Sequence, residues 1–290
     1  MVLKRLIYII IGIATYSSSA AQSAKGVICC EPADSLTVSR LLDGVRRMPA
    51  TTNLPLHFAR QFLGVPYVAH TLEGNQREQL VVNTRQMDCT TLVENVVALT
   101  LAARRHRYSF RAFVDALQAL RYRNGRIEGY ASRLHYFTDW IADNQRRGLV
   151  TERQSEQPPF TAVQTIDVCY MSQHPKAYKA LRENPSLVPV IRRQEQRLTG
   201  RKYRYIPKDA VRNTEALRQA VHDGDIIAIT CKKAGLDIAH LGFAVWHKDG
   251  LHLLNASQLH KKVVEEPMTL GEYLSKHPSH TGIRVISINN

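Results

Sequence analysis

The hydrophobic pattern of the chain changes near residue 222, and this change constrains the fold more than any other feature. Upstream, apolar residues recur with helical spacing, as in the run that follows Asp88 and extends to Ala102. Downstream, turn signals separate four short β-rich runs, at 225–230, 241–246, 251–256 and 283–288. Helices followed by a largely antiparallel sheet are typical of the α+β class. The sequence therefore predicts an α+β fold.

The first 21 residues have the pattern of a secretory signal peptide. Lys4 and Arg5 precede an apolar run over 6–14, and small residues follow over 17–21. The run is too short to span a bilayer, which needs about 20 residues. A buried N-terminal helix is the alternative, but no amphipathic pattern continues it. We therefore expect a secreted, periplasmic protein with no stable membrane insertion after signal cleavage.

The charge balance indicates an anionic partner. Lys and Arg number 39 against 25 Asp and Glu, which gives a formal net charge of +14. Polymer surfaces, nucleic acid and anionic lipid would all suit this charge. Nucleic acid is not expected, because the interleaved aromatic residues of a nucleic-acid reader are missing and the chain is predicted to be exported.

No known binding motif for a cofactor or metal stands out in the sequence. Neither a phosphate-binding loop nor a glycine-rich dinucleotide motif occurs. His240, His247 and His252 could suggest zinc, but the chain has many histidines and lacks a His-Glu-x-x-His pattern. We expect no cofactor and no metal.

The five cysteines are an odd number, so at least one would remain unpaired in an oxidising compartment. Cys29, Cys30, Cys169 and Cys231 could form one or two disulfides, and the sequence leaves the pairing open. Cys89 differs from these four because its surroundings have the character of a reactive site.

Cys89 directly follows Asp88, a good helix N-cap, and is therefore predicted to lie in the first turn of a helix. The exposed N–H groups of a helix start favour a thiolate and can bind an oxyanion. A nucleophilic thiolate needs a base, and the candidate is His240 at the start of a strand. Asn255, on the next strand of a predicted hairpin, would orient it. A small buried cysteine and a core histidine are the alternatives.

The sequence around these residues resembles the NlpC/p60 cell-wall hydrolases. The resemblance is carried by Phe62–Tyr67 (FLGVPY), Asp88–Cys89, the Asp223–Asp225 strand entry and the strand that begins at His240. It is closer to one branch, domain of unknown function 1460. The marks of that branch are MDCTTLVEN over 87–95, GYASRLHYF over 129–137, MSQHP over 171–175 and GLDIAH over 235–240. These motifs span most of the chain after the signal peptide.

The resemblance implies a papain-like NlpC/p60 fold in which helices pack on an antiparallel sheet. We expect an N-terminal helical segment over 22–60 and a catalytic domain over 61–290. A helical insert over about 105–215 would shape the substrate cleft. Within it, the polar residues 151–165 are predicted to form a surface loop, because they contain two consecutive prolines.

The branch is similar to N-acetylmuramoyl-L-alanine amidases that act on peptidoglycan fragments, with a preference for anhydro-muropeptides. The resemblance implies that Cys89 is the nucleophile, His240 the base and Asn255 the orienting residue, where the branch often has His. Two residues beside the thiol, Tyr67 and Asp88, are expected to help bind the substrate or the oxyanion.

Two further residues, Arg133 and His135, could bind a sugar or peptide carboxylate, and a solvated helix face is the alternative reading. Two other functions also stay open. One is an endopeptidase that cuts between D-glutamate and a diamino acid, and the other is a wall-binding protein without catalysis.

Overall fold

A computed structural model describes residues 28–289 of the chain, so the predicted signal peptide over 1–21 lies outside the described part. The α-helices are α1 Pro32–Val45, α2 Leu54–Gln61, α3 Cys89–Arg104, α4 Phe110–Arg121, α5 Phe137–Arg146, α6 Tyr170–Gln173, α7 Lys179–Glu183, α8 Val188–Leu198, α9 Glu215–Ala220 and α10 Leu270–Ser275. The β-strands are β1 Ile28–Cys30, β2 Leu80–Val82, β3 Val150–Glu152, β4 Ala162–Thr165, β5 Lys202–Pro207, β6 Ile226–Cys231, β7 Ile238–Trp246, β8 Leu251–Ser257, β9 Lys262–Glu265 and β10 His280–Ile288.

An eight-stranded antiparallel sheet forms the centre of the described fold. Its strand order is β4-β5-β10-β6-β7-β8-β9, and β3 also pairs with β10. β1 and β2 form a separate parallel pair. The predicted α+β class is thereby confirmed.

Helices cover both faces of the sheet, as the packing of strand β6 shows. Ile226 and Ala228 belong to the apolar core that includes α3 and α4. Ile227 and Ile229 belong to a second core that includes α9 and α10. A strand that is buried on both faces is a continuous apolar run with no polar alternation, as observed here.

Helix α3 is buried on all sides. Every residue from Thr91 to Ala103 is buried, which explains why the helix has no polar face. One charge lies within this stretch, on Glu94, and Arg121 of α4 neutralises it with a distance of 2.6 Å from Nε to Oε2. The helix packs against β7 and β8. This packing holds the start of α3 against the sheet.

The stretch over 105–215 departs from the helical insert that was predicted, because it also contains β3, β4 and β5. β3 and β5 pair with β10, and β4 pairs with β5. The surface-loop prediction for 151–165 is wrong at β3 and β4. Residues of β4 alternate between half-buried and exposed, as expected of an edge strand with one solvated face.

All five cysteines lie within residues 28–289, and each is a free thiol. The disulfides that the sequence left open therefore do not form in this structure. Within the same range, no helix combines the length and the apolar character that crossing a bilayer requires.

Candidate active site

Cys89 is the first residue of α3, as predicted. The Asp88 side chain accepts a hydrogen bond from the Thr91 backbone N–H at 2.8 Å, and the Asp88 N–H donates to Thr91 Oγ1 at 2.9 Å. This reciprocal capping box starts the helix at a fixed residue. Cys89 as a residue is half-buried in this position.

His240 and Asn255 lie on neighbouring strands of the β7–β8 hairpin. The two strands are antiparallel, with Phe243 paired to Leu254. The His240 Nε2 atom and the Asn255 Oδ1 atom are 2.9 Å apart, a hydrogen bond. Helix α3 packs against β7, and the backbone N–H of Leu241, the residue after His240, faces the Cys89 sulfur. The structure therefore brings the three predicted residues Cys89, His240 and Asn255 to one place.

Glu266 lies behind this group and was not found by the sequence analysis. Asn255 and Glu266 are both almost fully buried, and Asn255 Nδ2 donates to Glu266 Oε1 at 3.0 Å. The other carboxylate oxygen lies 3.2 Å from Nε2 of His260, whose side chain is partly exposed. No local pattern marks Glu266, because only the pairing of β8 with β9 brings it to Asn255.

This hydrogen-bond chain fixes the protonation of the imidazole. A carboxylate only accepts, so the Asn255 amide must turn its Nδ2 toward Glu266 and its Oδ1 toward His240. An amide oxygen also only accepts, so the His240 Nε2 atom carries the proton. The lone pair of the imidazole is therefore on Nδ1, and this atom is free to act as a base.

The electrostatics of the site favour neutral reacting groups. Burial, followed by the charge of Asp88, raises the pKa of the Cys89 thiol to about 12. Burial also lowers the pKa of His240, and the hydrogen bond that His240 donates to Asn255 acts in the opposite direction. The helix-start argument predicts a lowered pKa for the thiol, but desolvation outweighs it here. A raised pKa of the thiol and a lowered pKa of the imidazole both favour the neutral forms of the two groups.

Two tyrosines border the thiol. Tyr67 forms a bridge with Met87, two residues before Cys89, and burial together with the nearby Cys89 raises the pKa of its hydroxyl. Tyr273 of α10 stacks on His240 with 6.5 Å between ring centroids. Burial, followed by the charges of Glu266 and Cys89, raises the pKa of Tyr273 to about 12. The structure therefore places Tyr67 where the resemblance implied, and it adds Tyr273.

Arg133 and His135 lie outside this group. Arg133 is buried in the wall of an open cavity of about 1160 Å³, where it pairs with Glu73 at 2.8 Å and with Glu78 at 3.4 Å. His135 Nε2 donates a hydrogen bond to the carbonyl of Tyr130, 3.0 Å away, and burial lowers the pKa of His135 to about 3. The alternative of a solvated helix face is wrong, because Arg133 is buried and neither residue is helical.

A comparison with known protein families identifies the chain. Residues 57–283 match the AmiA-like family model, which is described as N-acetylmuramoyl-L-alanine amidase-like. The chain belongs to this family. The matched part contains Cys89, His240, Asn255 and Glu266.

Two solved structures from Bacteroides are similar to this AmiA-like chain. An N-acetylmuramoyl-L-alanine amidase from Bacteroides uniformis is 41% identical with a TM-score of 0.76, and the match covers 82% of this chain and 98% of that one. A candidate xylanase from Bacteroides fragilis is 39% identical with a TM-score of 0.75, and the match covers 80% and 100%.

A more distant structure supports the fold alone. A Legionella pneumophila protein of domain of unknown function 1460 is 24% identical with a TM-score of 0.68, covering 88% of this chain and 94% of that one. No curated protein matches the chain.

Proposed function

We propose that this protein is a cysteine amidase of peptidoglycan, with Cys89 as nucleophile, His240 as base and Asn255 as the orienting residue. One observation carries the proposal. A thiol at the start of α3 lies against the strand that carries His240, and Asn255 and Glu266 hold the imidazole with its Nδ1 lone pair free. A nucleophile, a base and an orienting group are the parts that amide hydrolysis by a thiol needs.

The reaction proceeds in two stages. His240 Nδ1 takes the proton of Cys89 as the sulfur attacks the substrate carbonyl, and N–H groups at the start of α3 stabilise the oxyanion. The C–N bond breaks, the imidazolium gives its proton to the departing nitrogen, and a thioester remains. Water then attacks the thioester with His240 again as base, which releases the acid and restores the thiol. The reaction as written consumes one water molecule per bond.

The bond we propose is the amide between the lactyl group of N-acetylmuramic acid and L-alanine, in muropeptide and anhydro-muropeptide fragments. The family description and the Bacteroides uniformis relative support this choice. The net charge of +14 suits fragments that carry stem-peptide carboxylates. Arg133, in the wall of the large cavity, is our candidate for binding one of these carboxylates, which would have to displace Glu73 or Glu78 from the guanidinium.

A glycosidase is less consistent with the site. Glycoside hydrolysis needs two carboxylates on either side of the scissile bond. The two carboxylates beside this group are Asp88, which caps α3, and Glu266, which is buried against Asn255. Both are already engaged by the protein, so the amidase is the better match to the geometry.

We also propose a papain-like NlpC/p60 fold for the catalytic part, and export to the periplasm. The fold proposal is supported by the chain order, in which a cysteine at the start of a helix precedes a histidine on a strand. The export proposal is supported by the signal-peptide pattern over residues 1–21. Periplasmic peptidoglycan fragments would then be the partners of the protein.

Digestion of a defined disaccharide-tetrapeptide, in reduced and anhydro forms, tests the proposed bond. We expect mass spectrometry to find a free tetrapeptide that begins with L-alanine, and no product from the Cys89→Ala control. Alanine retained on the sugar would identify the endopeptidase instead. Binding without any product from either form would favour the wall-binding alternative.

A further inference from the structure

The turn between β7 and β8 carries a second cluster of side chains, separate from the thiol site. His247 follows β7, Asp249 lies in the turn, and His252 is the second residue of β8. Each offers one ligand atom, and these atoms lie within 4.8 Å of one another. His252 is three residues from Asn255, a separation of about 10 Å along a strand. The cluster is therefore near the proposed triad without being part of it.

The hydrogen bonds of His252 leave one ring nitrogen facing a negative charge. This buried histidine places Nδ1 2.8 Å from the backbone carbonyl of Glu266, and a carbonyl only accepts, so Nδ1 carries a proton. Its Nε2 atom lies 3.1 Å from both carboxylate oxygens of Asp249. A lone pair on Nε2 would repel that carboxylate, so either a proton or a cation must lie between them.

One ring nitrogen of His247 also faces a carboxylate. Its Nε2 atom lies 2.5 Å from Glu265 Oε1, so Nε2 donates, and in a neutral ring the lone pair is on Nδ1. The rings of His247 and His252 stack at 4.2 Å between centroids. A hydrogen bond from the second ring nitrogen to a carbonyl or carboxylate is the usual support of a metal-bound imidazole. Both histidines have that support.

We propose that His247, Asp249 and His252 bind a divalent transition-metal ion, with Zn²⁺ as the best match. Two imidazoles and one carboxylate suit Zn²⁺, Ni²⁺ or Cu²⁺ and do not suit Ca²⁺ or Mg²⁺, which take all-oxygen sites. Water would complete the tetrahedral set of Zn²⁺.

The ion would act as a clamp on the hairpin that carries the proposed base. Glu266 links the two sites, since its backbone carbonyl binds His252 and its side chain binds Asn255. The His247 partner Glu265 belongs to β9, so the clamp would join the β7–β8 turn to the next strand. The clamp does not depend on the amidase proposal, because it needs no reacting group.

Titration of the metal-stripped, signal-free chain with Zn²⁺ and Co²⁺ tests the clamp. We expect one site in the wild type and in Cys89→Ala, with affinity at least tenfold lower in His252→Gln and in Asp249→Asn. His174→Gln, a change at an exposed histidine outside the cluster, is the matched control and should bind as the wild type does. Bound Co²⁺ should show the visible bands of nitrogen and oxygen ligands without the near-ultraviolet absorption of a thiolate ligand.

Thermal unfolding gives a second measurement for the same variants. Zn²⁺ at about 100 times the wild-type Kd should raise the Tm of the wild type by about 5 °C and that of Asp249→Asn by at most about half as much. Asp249 is exposed, so this variant should fold even if His252→Gln does not. The clamp would be overturned by any of three results: equal metal binding by wild type and Asp249→Asn, a Co²⁺ spectrum with thiolate absorption, or no metal binding at all. The last result would leave only a His252–Asp249 ion pair.

Discussion

Glu266→Gln is the substitution that most directly tests how the base is oriented, because it leaves His240 itself in place. In the wild type the carboxylate holds Asn255 Nδ2 at 3.0 Å, and this amide orientation keeps the His240 proton on Nε2. Glutamine has nearly the same shape as glutamate, but its side-chain amide can also donate a hydrogen bond. The Asn255 amide can then turn over and offer a donor to His240, which moves the proton to Nδ1 and removes the base.

The size of the effect follows from the change in hydrogen-bond strength. A bond to a charged partner contributes about 1.5–3 kcal/mol and a neutral one about 0.5–1.5 kcal/mol. The substitution therefore removes about 1 kcal/mol of preference for the productive orientation. A loss of this size corresponds to about a fivefold fall in kcat. KM should change little, because Glu266 is buried and does not contact the substrate.

Steady-state kinetics on the anhydro disaccharide-tetrapeptide and ¹⁵N NMR of His240 provide the assay. We expect the NMR signal of the Nε2–H tautomer in the wild type and a mixture of tautomers in Glu266→Gln. Glu265→Gln, a change at the neighbouring carboxylate that bonds His247 and Arg60, should keep wild-type kcat and tautomer. A Glu266→Gln enzyme within twofold of wild-type kcat, with an unchanged tautomer, would refute the orienting role.

Other predictions concern the reacting groups and the core. Cys89→Ala and His240→Ala should each abolish turnover with an unchanged circular dichroism spectrum, whereas Asn255→Ala should lower kcat by only about tenfold. Since burial lowers the pKa of His240, the acid limb of kcat/KM against pH should have its midpoint below 6.5, and a midpoint above 6.5 would contradict this. Arg121→Met, which leaves Glu94 buried and unpaired, should cost about 3–5 kcal/mol in urea unfolding, and a loss under 1 kcal/mol would be inconsistent with that burial.

Local signals were sufficient to predict the start of α3 and the hairpin of the candidate site. Asp88 fixes the helix start through its own side chain, so the cap can be recognised from adjacent residues. His240 and Asn255 share a hairpin, and hairpin partners are close in sequence as well as in space. Predictions of this kind depend on short-range geometry, and the structure agrees with them.

Features that depend on tertiary contacts were not predictable. Glu266 and Tyr273 reach the site only after β9 and α10 pack against β8. The sign of the Cys89 pKa shift depends on how deeply the packed sheet desolvates the thiol, which the helix start alone does not reveal. Strand β4 was missed because it is only four residues long and none of them is fully buried, so it lacks an apolar run.

The most direct test of the proposed reaction is mass spectrometry of the enzyme after an acid quench during turnover of the anhydro disaccharide-tetrapeptide. We expect an adduct on the peptide that contains Cys89, with the mass of the sugar acid joined through its lactyl carbonyl. That single mass identifies both the nucleophile and the bond that is cut. An adduct that retains L-alanine and D-glutamate, or a label on any residue other than Cys89, would contradict the mechanism.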